Sequence, residues 1–125
     1  MDTHACFLCM GSNTKPARNL QMARESLQRF FPDIRFGKEM RTEAHAFRHN
    51  LTPFLNQTGY FHTSMSKEEV TAICKQIERQ AGRTQEDKAN EIVKLDIDLL
   101  QYDHLALKPK DMELPYVKRQ LPIQR

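Results

Sequence analysis

The sequence predicts an α+β fold in which two helices cover one face of a four-stranded antiparallel sheet. Three observations predict it: a continuous apolar run near the start, two segments with apolar residues at helical spacing, and a late segment that alternates apolar with acidic residues. A chain of 125 residues can build one core and is too short for two ordinary ones, so residues 1–125 are expected to form a single domain.

Ala5 to Met10 is unbroken apolar sequence closed by Gly11-Ser12-Asn13, the pattern of a central strand buried on both faces and followed by a turn. Pro16 opens a helix in which Leu20, Ala23, Leu27 and Phe30 share one face, and Pro32 ends it. Ile34 to Thr42 and Phe54 to Thr63 are rich in aromatic and β-branched residues and read as two strands, able to pair across the polar stretch Glu43 to Thr52. Ser66-Lys67-Glu68-Glu69 is a capping box, in which the serine hydroxyl accepts from the Glu69 amide and the Glu69 carboxylate reaches back to the Ser66 amide. Val70, Ile73, Cys74 and Ile77 give the helix that follows one buried stripe, and Gly82 ends it. Arg83 to Val93 reads as a polar loop. From Lys94 to Leu100, Leu95, Ile97 and Leu99 alternate with Asp96 and Asp98, the period of a strand. The order β-α-β-β-α-β is that of the split βαβ, or ferredoxin-like, arrangement. Tyr102 to Arg125 is expected to add a short strand or an edge-covering tail.

With 39% hydrophobic and 28% charged residues the chain belongs with globular rather than disordered sequences. A formal charge of +3 is too mild to point to nucleic acid and is compatible with an anionic small molecule. The acidic start and the short apolar run behind it match neither a secretory signal nor a membrane span, so no membrane partner and a cytoplasmic location are expected. Cys6 and Cys9 have C-x-x-C spacing, but on a strand positions three apart face opposite ways, so both thiols, with Cys74, read as small buried hydrophobes.

On a strand Asp96 and Asp98 share a face with Cα atoms about 6.6 Å apart, close enough to engage one cation or two adjacent ones. Magnesium, held by one or two carboxylates plus substrate phosphates, is one reading of that pair; a solvated sheet face is the other. Arg83, Lys88 and Lys94 around the polar loop are cations suited to phosphate oxygens, though Glu86, Asp87 and Glu91 among them equally describe a solvated loop, and its length alone hints at a mobile lid. His45 and His49, four apart, lack a third metal ligand nearby.

Taken together and in order, Phe7 to Asn13 (FLCMGSN), Phe54-Leu55-Asn56, Ile77 to Arg83 (IERQAGR), Leu95 to Tyr102 (LDIDLLQY) and Leu114-Pro115 resemble the 6-hydroxymethyl-7,8-dihydropterin pyrophosphokinase family of the folate pathway. The resemblance implies transfer of diphosphate from ATP to the hydroxymethyl oxygen of a reduced pterin, with Mg²⁺ on Asp96 and Asp98. It further implies Asn56 on the pterin's polar edge, Phe54 near the ring, Thr42 in the pterin-binding stretch, and Arg83 at the phosphates, where Lys94 compensates only in part for the family's arginine, replaced here by Val93. Asp96, Asp98 and Arg83 would then be the catalytic set. The sequence also departs from the family. Asn90-Glu91-Ile92-Val93 stands where the family has Trp-Gly-Pro-Arg, Glu43-Ala44 where it has Pro-Pro, and Tyr116 where it has His. The sequence ends near where the family supplies a further arginine and an aromatic, with Lys118 and Arg119 as stand-ins for that cation. Low activity is therefore expected. The alternative is a non-catalytic pterin- or nucleotide-binding or protein-interaction module derived from that family.

Overall fold

The structure, a computed structural model, describes residues 2–44, 47–112, 114 and 117. Its elements run β1 (His4–Ser12), α1 (Pro16–Phe30), β2 (Arg35–Phe36), β3 (Met40–Thr42), β4 (Phe54–Thr63), α2 (Lys67–Gln80), α3 (Gln85–Ala89), β5 (Asp96–Tyr102), β6 (Leu105–Ala106) and α4 (Pro109–Met112). Every strand pairing is antiparallel. The apolar strand β1 is central, between β4 and β5, which is why it is apolar on both faces.

Among the described residues the expected four strands are six. The segment from Ile34 to Thr42 does not run as one strand: the Gly37 amide donates to the Thr58 carbonyl at 3.0 Å, and the Gly37 carbonyl accepts from the Gln57 side chain at 2.7 Å. These bonds kink the segment into β2 and β3, which both pair with β4. After β5 the chain turns at Asp103, φ 53°, into the short β6.

The expected loop from Arg83 to Val93 contains α3. Its Thr84 cap is met by Asp87, whose carboxylate accepts the Thr84 amide at 3.1 Å. The sixth strand element and α3 are both short and local, so neither leaves a long hydrophobic periodicity.

Two stripes meet on one sheet face. Leu20, Ala23 and Leu27 of α1 and Val70, Cys74 and Ile77 of α2 pack with Cys6, Leu8 and Met10 of β1, Phe61 of β4 and Ile97 and Leu99 of β5. The α2 capping box forms as expected, with bonds of 2.9 and 3.1 Å. At the end of α1, however, Phe30 is at the surface and Phe31 is the buried aromatic, stacked on Phe61 at 4.1 Å. The helix ends at Phe30 and the extended Phe31 backbone swings its ring inward.

β5 carries a bulge. Its register against β1 runs Asp96, Asp98 and Leu99 opposite Gly11, Cys9 and Leu8, and then skips Leu100 to place Gln101 opposite Phe7. Leu99 therefore enters the core beneath the helices while Leu100 packs with Phe7 and Val117 on the other face. No helix among the described residues is long and apolar enough to cross a membrane.

Candidate active site

The sheet face turned away from α1 and α2 carries a cavity of about 570 Å³, lined among others by Gly11, Thr42, Phe54, Asn56, Asp96 and Asp98. Register explains this convergence. Asn56 and Asp96 both lie opposite Gly11, on either side of β1, so the two polar groups stand about 10 Å apart across a strand that offers no side chain between them. The amide of Asn56 donates to the Thr42 hydroxyl at 2.6 Å, which fixes its orientation. Phe54, two residues before Asn56 on the same face, lies 5.9 Å from Phe47, ring to ring.

Gly11 makes this floor possible. A Cβ there would stand 2.6 Å from the Asn56 carbonyl oxygen. Gly11→Ala is thus expected to turn Asn56 away from Thr42 and to weaken ligand binding in this cavity by about tenfold, the loss of one well-placed polar contact, while the fold survives. Calorimetric titration with a hydroxymethylpterin checks the first part and thermal unfolding the second.

Asp96 and Asp98 project from alternate positions of β5 into the cavity. Burial pushes the Asp98 carboxyl up to about 6, with the nearby Asp96 charge adding to the rise and Lys108, 3.9 Å away, opposing it. A half-buried carboxyl that resists ionising beside a second acidic side chain is suited to a divalent cation, which would remove the repulsion. No group of three or more His, Cys, Asp and Glu side chains gathers as a metal cage among the described residues. A pair fits magnesium, which keeps sites for water and phosphate, better than it fits a closed structural metal site.

Arg83 links this cavity to a second one. Its Nη1 donates to Asp96 at 3.1 Å, to Glu78 at 3.0 Å and to the Leu95 carbonyl at 3.4 Å. Burial works against its charge, but the bond to Asp96 and the charges of Glu78, Asp96 and Asp98 outweigh it and raise its pKa. The second cavity, about 630 Å³, is bordered by Lys75, Glu78, Arg79, Arg83, Thr84, Gln85 and Lys88. Among the described residues four cations against one carboxylate give it a positive lining.

Glu78 escaped the sequence reading. It is 4% exposed, and its second oxygen accepts the Ile97 backbone amide at 2.8 Å, tying α2 to the strand between the two aspartates. The signal was available: position 78 continues the stripe of Val70, Cys74 and Ile77, and a charge there has to be paired. Asn13 also escaped. Its side chain binds the Val93 amide at 2.7 Å and the Glu91 carbonyl at 3.0 Å, so the turn after β1 holds the segment before β5.

The other expected residues fall as follows. Thr42, Phe54, Asn56, Asp96 and Asp98 come together at the first cavity, and Arg83 stands between the two. Lys94 lines neither: its ammonium donates to the Gly82 carbonyl at 2.9 Å and lies 3.4 Å from Asp87. Cys6 and Cys74 are buried, with thiols pushed up to about 12 chiefly by burial, while Cys9 faces the cavity. His45, Pro115, Tyr116, Lys118 and Arg119 lie outside the described residues.

The antiparallel α/β scaffold thus brings an acidic pair, an aromatic and an amide to one cavity, beside a second cavity bordered by cations. The chain belongs to the 7,8-dihydro-6-hydroxymethylpterin-pyrophosphokinase family, whose model matches residues 7–122. Membership brings a pterin pyrophosphokinase kind of function, a transferase activity of folate biosynthesis. Among curated proteins, no sequence matches the chain.

Proposed function

We propose that the protein is a 2-amino-4-hydroxy-6-hydroxymethyldihydropteridine pyrophosphokinase. It transfers a diphosphate group from ATP to the hydroxymethyl oxygen of a reduced pterin: the new bond joins that oxygen to the β-phosphorus, and the bridge to the α-phosphate breaks, releasing AMP. The observation that carries the reading is the place of Asp96 and Asp98, which line the first cavity while Asp96 is bonded to an arginine of the second. We read residues 1–125 as one domain and its sheet as a ferredoxin-like core to which the fragments β3 and β6 are added.

In this reading the flat pterin lies in the first cavity near Phe54, and Asn56, oriented by Thr42, reads its amide edge through one donor and one acceptor. Arg83 faces the transferring phosphates, with Lys75, Arg79 and Lys88 lending charge to the rest of the polyphosphate. Lys94 acts at a distance, by holding the Gly82 carbonyl and Asp87 and so the loop from which Arg83 projects. Mg²⁺ held by Asp96 and Asp98 would supply neutralisation of the charge that develops on the phosphate oxygens. The protein's own share is alignment and exclusion of water, since phosphoryl transfer needs no covalent nucleophile.

One observation favours a second reading, a non-catalytic module that binds pterin or nucleotide. Among the described residues the charged lining of the first cavity is Arg41 against Glu43, Asp96, Asp98 and Asp111, a poor balance for phosphate, and Val93 stands where the family has an arginine. Incubation with Mg²⁺, ATP and 6-hydroxymethyl-7,8-dihydropterin decides between them. AMP formed in step with pterin diphosphate supports the enzyme; binding of both ligands without AMP supports the module; neither binding nor turnover sinks both.

A further inference from the structure

Glu91 is the least expected residue of the segment that leads into β5. Its backbone is left-handed, φ 56°, a conformation that costs a non-glycine residue free energy and persists only where the surroundings impose it. What imposes it is a set of bonds reaching more than forty residues back. Its carboxylate accepts the successive backbone amides of Arg48, His49 and Asn50 at 2.8, 2.7 and 2.8 Å. Its carbonyl accepts the side-chain amides of Asn50 at 2.8 Å and Asn13 at 3.0 Å. Three chain segments that form no ladder with one another, the turn after β1, the segment from Phe47 to Thr52 and the segment before β5, thus meet on one residue.

We infer that Glu91 is a positioning residue, an internal anion that latches the segment 47–50 to the segment 90–93 and so fixes the Phe47–Phe54 ring pair at the edge of the first cavity before any ligand arrives. Three consecutive N–H groups converging on one acceptor make a backbone nest of the kind that binds phosphates and carboxylates. Here the anion is part of the chain. The bonds are charge-assisted, and the nest holds the Glu91 carboxyl below the usual carboxylate range, the Arg48 amide first among the causes. Phe47 immediately precedes the nest and touches Phe54, so the latch and the cavity wall are adjacent in the chain and in space.

Glu91 thereby has a role at a place where the sequence departs from the family. Glu91 falls within the four residues that stand in place of Trp-Gly-Pro-Arg. On this view the replacement turns a segment whose length suggested a mobile lid into a pinned wall, and a ligand meets a rim that needs no ordering. The latch rests on these hydrogen bonds and holds whether or not the cavity takes a pterin.

Amide hydrogen exchange and ring contacts by NMR test it in the wild-type chain, Glu91→Gly and Glu91→Gln. Glycine adopts φ 56° without strain, so Glu91→Gly removes the carboxylate while relaxing the backbone. Expected are wild-type amides of Arg48, His49 and Asn50 that exchange at least tenfold more slowly than in Glu91→Gly, with intermediate values in Glu91→Gln and no change at Leu8 and Phe61. The cross-peak between the Phe47 and Phe54 rings should be present in the wild type and lost in Glu91→Gly. Exchange at residues 48–50 that is already fast in the wild type would overturn the latch. So would a ring contact that survives Glu91→Gly, or a loss of protection that extends equally to Leu8 and Phe61.

Discussion

Asp98→Asn is expected to lower turnover by about a thousandfold, the scale on which a lost charge-stabilising group acts, while leaving the ligand-free protein at least as stable as the wild type at neutral pH. The two effects share one cause. Asp98 is held near 6 by burial and by Asp96, well above the ordinary aspartate value of about 3.9. Between about pH 4 and about pH 6 the folded protein therefore keeps a proton that the unfolded chain has lost, and stability falls as pH rises through that window. The isosteric amide cannot ionise, so the fall disappears in the variant. For the wild type the same titration gives the opposite trend in cation binding, since Mg²⁺ needs the carboxylate and binds more tightly as pH rises through about 6. Thermal unfolding from pH 4 to 8 with and without Mg²⁺, on both proteins, reads all of these at once.

Glu78→Ala is expected to destabilise the fold by about 3 kcal/mol, most of it from the Ile97 amide left buried without an acceptor. Arg83, 42% exposed, loses one of its two carboxylates and regains water, so its share of that cost is small. Its position is another matter. Without Glu78 it is held only by Asp96 and the Leu95 carbonyl, and kcat is expected to fall by about tenfold or more with the KM for pterin little changed. Glu78→Gln keeps an oxygen for the Ile97 amide and should recover most of the stability but not the rate. Denaturant unfolding and steady-state kinetics on the two variants separate the parts.

What could be read in the sequence was whatever rests on a local period. The apolar run of β1, the stripe of α1, the capping box of α2 and the alternation around Asp96 and Asp98 each depend on which face of one element meets the core, and all four recur in the structure, the α1 stripe without Phe30. Features set by distant partners were hidden. The kink between β2 and β3 depends on Gly37 bonding to Gln57 and Thr58, twenty residues along the chain, and the inward turn of Phe31 depends on the ring of Phe61. The bulge at Leu100 becomes visible only when β5 is laid beside β1. α3 had a legible cap in Thr84 and Asp87, but five residues carry too little periodicity to distinguish a helical turn from a loop.

The candidate site divides along the same line. Asp96, Asp98, Asn56, Phe54, Thr42 and Arg83 were named from spacing and family resemblance, and register across β1 explains how strand positions far apart in sequence come to line one cavity. Residues that support the site, Gly11, Asn13 and Glu91, act through contacts with other elements and have no sequence pattern of their own, whereas Glu78 lies on the buried stripe of α2 but shows its partner only in the fold. Lys94 illustrates the converse: its place in the chain beside Asp96 suggested the phosphates, while its ammonium lies on the Gly82 carbonyl.

Whether Asp96 and Asp98 hold the divalent cation that the nucleotide brings to this site is read by titrating Mn²⁺ into the protein with a non-hydrolysable ATP analogue and following free Mn²⁺ by electron paramagnetic resonance. Tight, saturable uptake is expected of the wild type beyond that of the nucleotide alone, lost in the Asp96→Asn/Asp98→Asn double variant while its fold is retained. Equal uptake by the two proteins would contradict it.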